Sequence, residues 1–208
     1  QLRGVLPTDD VSGSWKSTLR KEGMRLIHSI AVLGGDARQR YLAELLRESG
    51  FAVQVFAVPG LEDTAPSVQE AVCGADAVCL PTPAVRSGSI AGFEALTPAQ
   101  LLSALPEQAV IFGGGLGAFR TLLQKTNTPH YDFLQNPALT LENAALTAEG
   151  ALSLALQSMP EALQDAFVLV TGFGRIGKSL GRKLKALGAN VTLTTRRLSQ
   201  FSTIEQLS

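Results

Sequence analysis

Apolar residues fall into short runs closed by glycine, proline or polar turns, with stretches of helical spacing between them. Residues 29–33 are the first run and stop at Gly34-Gly35. Asp36 then opens a helical pattern in which Tyr41, Leu42, Leu45 and Leu46 share one face, and Gly50 ends it. Residues 51–58 are strand-like up to Pro59-Gly60, which predicts parallel strands joined by a right-handed crossover. Residues 75–80 form a third strand, closed by Pro81-Thr82-Pro83. A short helix over 98–105 takes Thr97 as N-cap and Pro98 as its first residue. A fourth strand at 110–112 runs into Gly113-Gly114-Gly115, a helix spans 116–124, and 130–134 is a weak fifth strand. Most of these strands lack the alternation of a half-exposed sheet. The pattern therefore predicts an α/β domain over residues 24–138, with a doubly wound parallel sheet buried on both faces.

Asn136-Pro137 breaks this pattern, and residues 140–158 read as one long helix with Gly150 in its middle and Pro160 after its end. Residues 139–160 are expected to connect two domains. A new strand follows at 167–171, then Gly172-Phe173-Gly174-Arg175-Ile176-Gly177, a helix over 175–187 capped by Gly188, and a strand at 190–195. A G-x-G-x-x-G between strand and helix, with a second strand about 30 residues from the first, predicts a dinucleotide-binding Rossmann unit. Gly172 permits the tight turn, Gly174 lets the backbone approach a pyrophosphate, and Gly177 lets the helix pack on the strand. Arg175 and Ile176 open the helix, whose free N–H groups face the phosphates. A complete domain of this kind has two such halves. Residues 165–208 are thus expected to be a truncated NAD(P)-binding domain, and the chain a fragment of a longer protein that is inactive alone.

Cofactor choice rests on the end of the second strand. An NAD site usually places an acid there for the ribose 2′-OH. Here Thr194, Thr195, Arg196 and Arg197 stand instead, and an arginine pair suits a 2′-phosphate. The expectation is NADP over NAD, bound by Gly172, Gly174, Arg175, Ile176, Gly177, Thr195, Arg196 and Arg197.

Charge and composition narrow the classes. Lys+Arg and Asp+Glu balance at 18 each, so no field of one sign draws in nucleic acid or an acidic membrane. No apolar run approaches the ~20 residues of a bilayer span. The two cysteines, Cys73 and Cys79, are expected as free core thiols of a cytoplasmic protein rather than a disulfide. His28 and His130 lack partners at ligand spacing, so no metal site is expected. The chain starts with Gln, and Met24 immediately precedes the first strand. Residues 1–23 are expected to be either translated upstream sequence, with the natural start at Met24, or a disordered arm. The nucleotide sequence ahead of the Met24 codon distinguishes these.

At the first strand-to-helix junction, Gly34-Gly35-Asp36-Ala37-Arg38-Gln39 lacks a third glycine and is no dinucleotide fingerprint. It does place a carboxylate and a guanidinium at the carboxyl edge of the sheet, where open α/β sheets bind ligands. Arg38 there can clamp a carboxylate through two parallel bonds, while Asp36 also reads as a plain N-cap. Ser87-Gly88-Ser89 and Gly113-Gly114-Gly115-Leu116-Gly117 lie on the same edge, as pocket lining or as simple turns.

The stretch from Ile30 to Gln39, with its Gly-Gly-Asp-Ala-Arg-Gln run, resembles the start of the dipicolinate synthase A-subunit family of endospore-forming bacteria. Thr147-Ala148-Glu149-Gly150 and the apolar helix after it resemble that family's connector, and the Gly172–Gly177 loop falls at its spacing. The resemblance runs from about Ile27 to the end of the chain. It implies a flavodoxin-like N-terminal domain and a nucleotide-binding C-terminal one. It implies NADP-linked formation of dipicolinate from 4-hydroxy-tetrahydrodipicolinate during sporulation, by loss of water and a two-electron oxidation. It also implies an oligomer with a flavoprotein-like second subunit. On this resemblance Arg38 holds a carboxylate of the small dicarboxylate substrate, and Asp36 and Gln39 orient Arg38 or the substrate. Glu149, with Thr147 near it, is the candidate general acid/base if burial between domains raises its pKa, and Gly150 admits a close approach to the helix. Two other readings remain open. One is a different two-domain NAD(P) enzyme such as a 2-hydroxyacid dehydrogenase, whose catalytic His and Glu would lie beyond Ser208. The other is a non-catalytic binding or scaffold fragment.

Overall fold

The computed structural model describes residues 27–205. The expectation about residues 1–23 and Met24 lies outside them. The chain divides into two compact units, with the boundary between Phe133 and Leu134.

The first unit runs β1 (Ser29–Leu33), α1 (Ala37–Glu48), β2 (Ala52–Phe56), α2 (Val68–Val72), β3 (Ala77–Cys79), β4 (Val85–Arg86), β5 (Ser89–Ile90), α3 (Pro98–Ala104), β6 (Val110–Gly113), α4 (Ala118–Lys125) and β7 (His130–Asp132). Five strands pair in the order β2-β1-β3-β6-β7, all parallel. With the β4–β5 hairpin set aside this is the flavodoxin-like doubly wound order, which reverses direction between β1 and β3. The central strand shows why the sheet is parallel and covered. Ile30 to Leu33 are all buried, with Ala31 and Leu33 in the core on one face and Ile30 and Val32 in the core on the other.

Two carboxylates tie the sheet to its turns. Asp76 accepts from the backbone N–H groups of His28 (2.9 Å) and Ser29 (3.0 Å), and so locks the start of β1 beside β3. Asp132, at the end of β7, accepts from the N–H groups of Gly115 (3.0 Å) and Leu116 (3.2 Å) and from Arg120 (3.2 Å). It thereby fixes the turn that leads into α4, whose N-cap Gly117 supplies no side-chain bond.

Several expectations change. The buried residues of α1 are Gln39 and Ala43, flanked by half-buried Leu42 and Leu46, while Tyr41 and Leu45 are exposed. Positions 39, 42, 43 and 46 make the helical stripe; Tyr41 and Leu45 each lie about 100° around from the residue that follows. The sequence showed no sign of α2 or of the β4–β5 hairpin, which are too short to carry a periodicity. Ser87 and Gly88 form the hairpin turn with positive φ at both, as a two-residue type I′ turn requires. Both cysteines are free, but Cys73 is exposed rather than in the core, because it is the C-cap of α2. Burial in β3 pushes the Cys79 thiol up to about 12.

A 3-10 turn at Phe133–Gln135 spans the boundary, and the second unit contains α5 (Pro137–Ser158), β8 (Phe167–Val170), α6 (Arg175–Ala186), β9 (Asn190–Leu193), a further 3-10 turn at Leu198–Gln200 and α7 (Phe201–Glu205). Asn136-Pro137 does not merely interrupt the chain; it starts α5. The Asn136 carboxamide oxygen accepts from the N–H groups of Ala138 (3.0 Å) and Leu139 (3.3 Å), and Pro137 takes the first helical position. β8 and β9 pair in parallel from Phe167↔Asn190 to Val170↔Leu193. α6 covers them through Leu184, and Gly181 lets it sit close, with Leu193 against its Cα face. Among the described residues no helix is long and apolar enough to cross a membrane.

Candidate functional site

In the second unit the loop after β8 is shaped by its glycines. Gly172 has a φ of +121°, a region open to glycine alone, and turns the chain off the strand. A Cβ on Gly177 would collide with the Gly172 carbonyl oxygen, so only glycine lets α6 begin this close to β8. A Cβ on Gly174 would meet nothing within 4 Å. Gly174 is the N-cap of α6, and no side chain caps that helix. Its first N–H groups thus point at open space without a protein acceptor, the condition that anions satisfy.

That space has two parts that meet at the loop. A cavity of about 710 Å³ runs along β8, the start of α6 and the small-residue side of α5, including Asn143, Ala144, Ala151 and Ala155. A second, of about 550 Å³, lies between Thr171–Gly174 and the segment after β9, including Thr194 to Arg197 and Gln200. Gly172 and Gly174 line both. Thr194 ties the two segments together: its hydroxyl accepts from Gly172 N (3.0 Å), and its own N–H donates to Val170 (3.1 Å). The structure therefore gathers Gly172, Gly174, Arg175, Ile176 and Gly177 on one side and Thr195, Arg196 and Arg197 on the other, around one groove. These residues fit a dinucleotide: an uncapped helix start for its phosphates, open space where a Cβ would otherwise stand, and a basic rim.

In the first unit the expected substrate residues Asp36, Arg38 and Gln39 lie at the switch point of the sheet. Gly34-Gly35 leave the end of β1, and Pro81-Thr82 leave the end of β3. Gly35 N donates to Ala91 O (2.8 Å), which fastens the loop to the chain beyond β5. A Cβ on Gly92 would strike the Gly35 backbone, so this approach needs glycine. Asp36 caps α1 by accepting from Arg38 N (2.9 Å). It also grips the Arg38 guanidinium with two bonds, Nε to Oδ1 at 3.0 Å and Nη2 to Oδ2 at 2.8 Å. Nη2 gives its other hydrogen to Thr82 O (2.8 Å). The Arg38 side chain and backbone N–H hold the Asp36 carboxyl down to about 2, and Asp36 raises Arg38 in turn.

This geometry refines the expected roles. The two-bond edge of Arg38 is occupied by Asp36, which leaves Nη1 as its outward donor. Asp36 and Thr82 together hold the Arg38 guanidinium across the switch point. Gln39 does not touch the guanidinium. It is buried against Gly35, and its Nε2 has no hydrogen-bond partner. A buried amide donor without an acceptor costs about 1–3 kcal/mol, which marks a place where an acceptor is wanted.

Glu149 and Thr147 are on α5, two residues apart, so their side chains diverge around the helix rather than meeting. The Glu149 side chain is 57% exposed and takes an ion pair from Lys183 Nζ of α6 at 2.8 Å. Thr147 gives its hydroxyl proton to Asn143 O (2.7 Å). Thr82, Gln200 and Lys183 are the partners of these candidate residues that sequence reasoning missed. None belongs to a motif, and each acts through a partner that only folding brings near.

The family model for the N-terminal domain of the dipicolinate synthase A-subunit matches residues 29–134. A crystal structure of the dipicolinate synthase A-subunit from Bacillus halodurans superposes at a TM-score of 0.73 and 25% identity, covering 86% of this chain and 66% of that one. The corresponding dipicolinate synthase polypeptide from Bacillus subtilis gives 0.66 and 24%, covering 88% and 66%. Apo D-lactate dehydrogenase from Escherichia coli gives 0.53 and 18%, covering 86% and 58%, which is a likeness of fold. The chain thus spans just under two thirds of the first two structures. No curated protein matches it by sequence.

Proposed function

The chain belongs to the dipicolinate synthase A-subunit family through its N-terminal domain, and on that premise we propose that it is the substrate-holding and nucleotide-binding part of an NADP-linked oxidoreductase that forms dipicolinate. The observation that carries the oxidoreductase reading is the uncapped start of α6, opening with Gly174 onto free space beside an acid-free basic rim. Net conversion of 4-hydroxy-tetrahydrodipicolinate to dipicolinate removes one water and two hydrogens. A bound nicotinamide supplies the oxidation by accepting a hydride. The residues of this chain bind and orient. Gly172, Gly174 and Gly177 admit the pyrophosphate to the N–H groups of Arg175 and Ile176. Arg196 and Arg197 take the 2′-phosphate by charge-assisted bonds.

The substrate end of the proposal is the switch point of the first unit. A dicarboxylate needs donors, and Arg38 Nη1 is the donor there that Asp36 and Thr82 do not consume. Glu149 and Thr147 remain candidates for proton transfer, Glu149 with Lys183 as its counter-ion. A flavoprotein-like second subunit, oligomerisation and a cytoplasmic setting belong to the same proposal, supported by the family membership. The likeness to D-lactate dehydrogenase favours a second reading, a dehydrogenase of 2-hydroxy acids on the same scaffold.

The deciding experiment uses the full-length protein with its candidate partner subunit. It is supplied with the product of the enzyme that makes 4-hydroxy-tetrahydrodipicolinate, and reduced nicotinamide and dipicolinate are measured together. Equimolar appearance of both supports the proposal. Oxidation of a 2-hydroxy acid such as D-lactate, with no dipicolinate, supports the second reading. In the active system, Arg38→Ala is expected to raise KM about 10- to 100-fold, the loss of one charged hydrogen bond; an unchanged kcat/KM removes Arg38 from the site.

A further inference from the structure

The segment after β9 holds a small polar assembly that no motif announces. The Thr195 hydroxyl accepts the backbone N–H of Arg197 at 3.1 Å and lies 2.6 Å from Gln200 Oε1. That second distance is the length of an O–H···O bond, so Thr195 donates its proton to the Gln200 carboxamide oxygen. That bond fixes the orientation of the Gln200 amide and leaves its Nε2 hydrogens as the donors it offers, and Gln200 lines the smaller cavity beside Arg196 and Arg197. The Nε2 group has no protein partner among the described residues, and neither do the two guanidinium groups. No Asp or Glu lines that cavity. The chemistry of the rim is therefore that of donors. An unphosphorylated ribose, whose 2′-OH is usually held by a carboxylate, finds none on this rim. A 2′-phosphate, which accepts only, finds an amide and two guanidinium groups.

We propose that Gln200 is a specificity-determining residue that donates Nε2–H to the 2′-phosphate of NADP, and that Thr195 is its positioning residue, holding the amide oxygen and the Arg197 backbone in place. This rests on the nucleotide reading above and deepens it. Thr195 then acts through Gln200 and Arg197 rather than touching the phosphate. The short 3-10 turn Leu198–Gln200 is what returns Gln200 to the rim five residues after Thr195.

The test is calorimetric titration of the intact protein with adenosine 2′,5′-bisphosphate and with adenosine 5′-monophosphate. Wild type is expected to bind the bisphosphate more tightly. Gln200→Leu is expected to weaken the bisphosphate about 10- to 100-fold and to leave the monophosphate within about twofold, as loss of a hydrogen bond to a charged group predicts. Thr195→Val is expected to show the same selective loss, and Thr195→Ser to restore the wild-type ratio. A bisphosphate-to-monophosphate ratio unchanged by Gln200→Leu overturns the inference while leaving the arginine reading standing, provided that Arg196→Ala with Arg197→Ala abolishes the preference. A wild type that binds both probes equally overturns the NADP reading and this inference together. If Thr195→Val does not fold, Gln200→Leu at the half-exposed rim decides the matter alone.

Discussion

Gly174 and Gly177 stand three residues apart in one loop and answer to the same substitution in opposite ways. An alanine Cβ at Gly177 collides with the Gly172 carbonyl, so Gly177→Ala is expected to lower stability by about 1–3 kcal/mol as the backbone shifts. At Gly174 the Cβ meets no protein atom, so Gly174→Ala is expected to keep the wild-type melting temperature yet weaken nucleotide binding, because the methyl fills the space left for phosphate. Thermal melts and NADP+ titrations of both variants check this; equal binding by Gly174→Ala and wild type would remove the loop from the cofactor site. Asp36 supplies a second test at this scale. Its carboxyl lies at about 2 in the folded chain against an ordinary 3.8. A depressed folded value means that the ion pair with Arg38 contributes fully above 3.8 and is lost as pH falls towards 2. Both side chains are more than half exposed, so solvent screening keeps the effect small. Urea midpoints of wild type and Asp36→Asn are expected to differ by a constant amount at neutral pH and to converge across that acid window.

Among the elements, α5 has its start and its middle set by different residues. Asn136 accepts two backbone N–H groups at the start, and Asn136→Ala is expected to cost about 1 kcal/mol. Gly150 stands mid-helix with nothing within 4 Å of where its Cβ would be. Gly150→Ala is therefore expected to stabilise the helix by about 0.5–1 kcal/mol through the unfolded chain and helix propensity. Chemical denaturation of the two single variants checks both signs. If Gly150→Ala stabilises the protein but blocks turnover in the full-length system, the glycine serves a ligand that approaches the helix. If turnover persists, it serves none.

At the scale of the molecule, each unit has its own buried cluster, built in the first on both faces of the five-stranded sheet and in the second around Val170, Leu184 and Leu193. Ligand bound to one unit is expected to protect that unit first. At about 100 times its dissociation constant NADP+ adds about 2.7 kcal/mol to the stability of what it binds. Hydrogen exchange with and without NADP+ is expected to slow in β8, α6 and β9. Slowing confined to residues 27–133 would place the nucleotide elsewhere.

The division between what was legible and what was not follows the range of the forces involved. Residues 29–33 declare a buried parallel strand, residues 167–170 a parallel strand that the structure leaves exposed at Phe167 and Leu169, and Gly172 to Gly177 a tight turn, because apolar run length, positive φ and a missing Cβ are properties of a few consecutive residues. The α/β class, the doubly wound first domain and the family resemblance were readable for the same reason. The phase of α1 was not, since a polar Gln39 turns inward where Tyr41 was expected. Nor were Arg38 reaching Thr82 forty-four residues away, Asp132 holding the turn before α4 from the next strand, or Thr195 fixing Gln200. Each depends on which side chains meet once the sheet has closed, and on which hydrogen-bond donors that meeting leaves unused. Local pattern sufficed for the long elements, their order and the glycine loop; closure of each unit decided which of the charged and amide groups are already engaged.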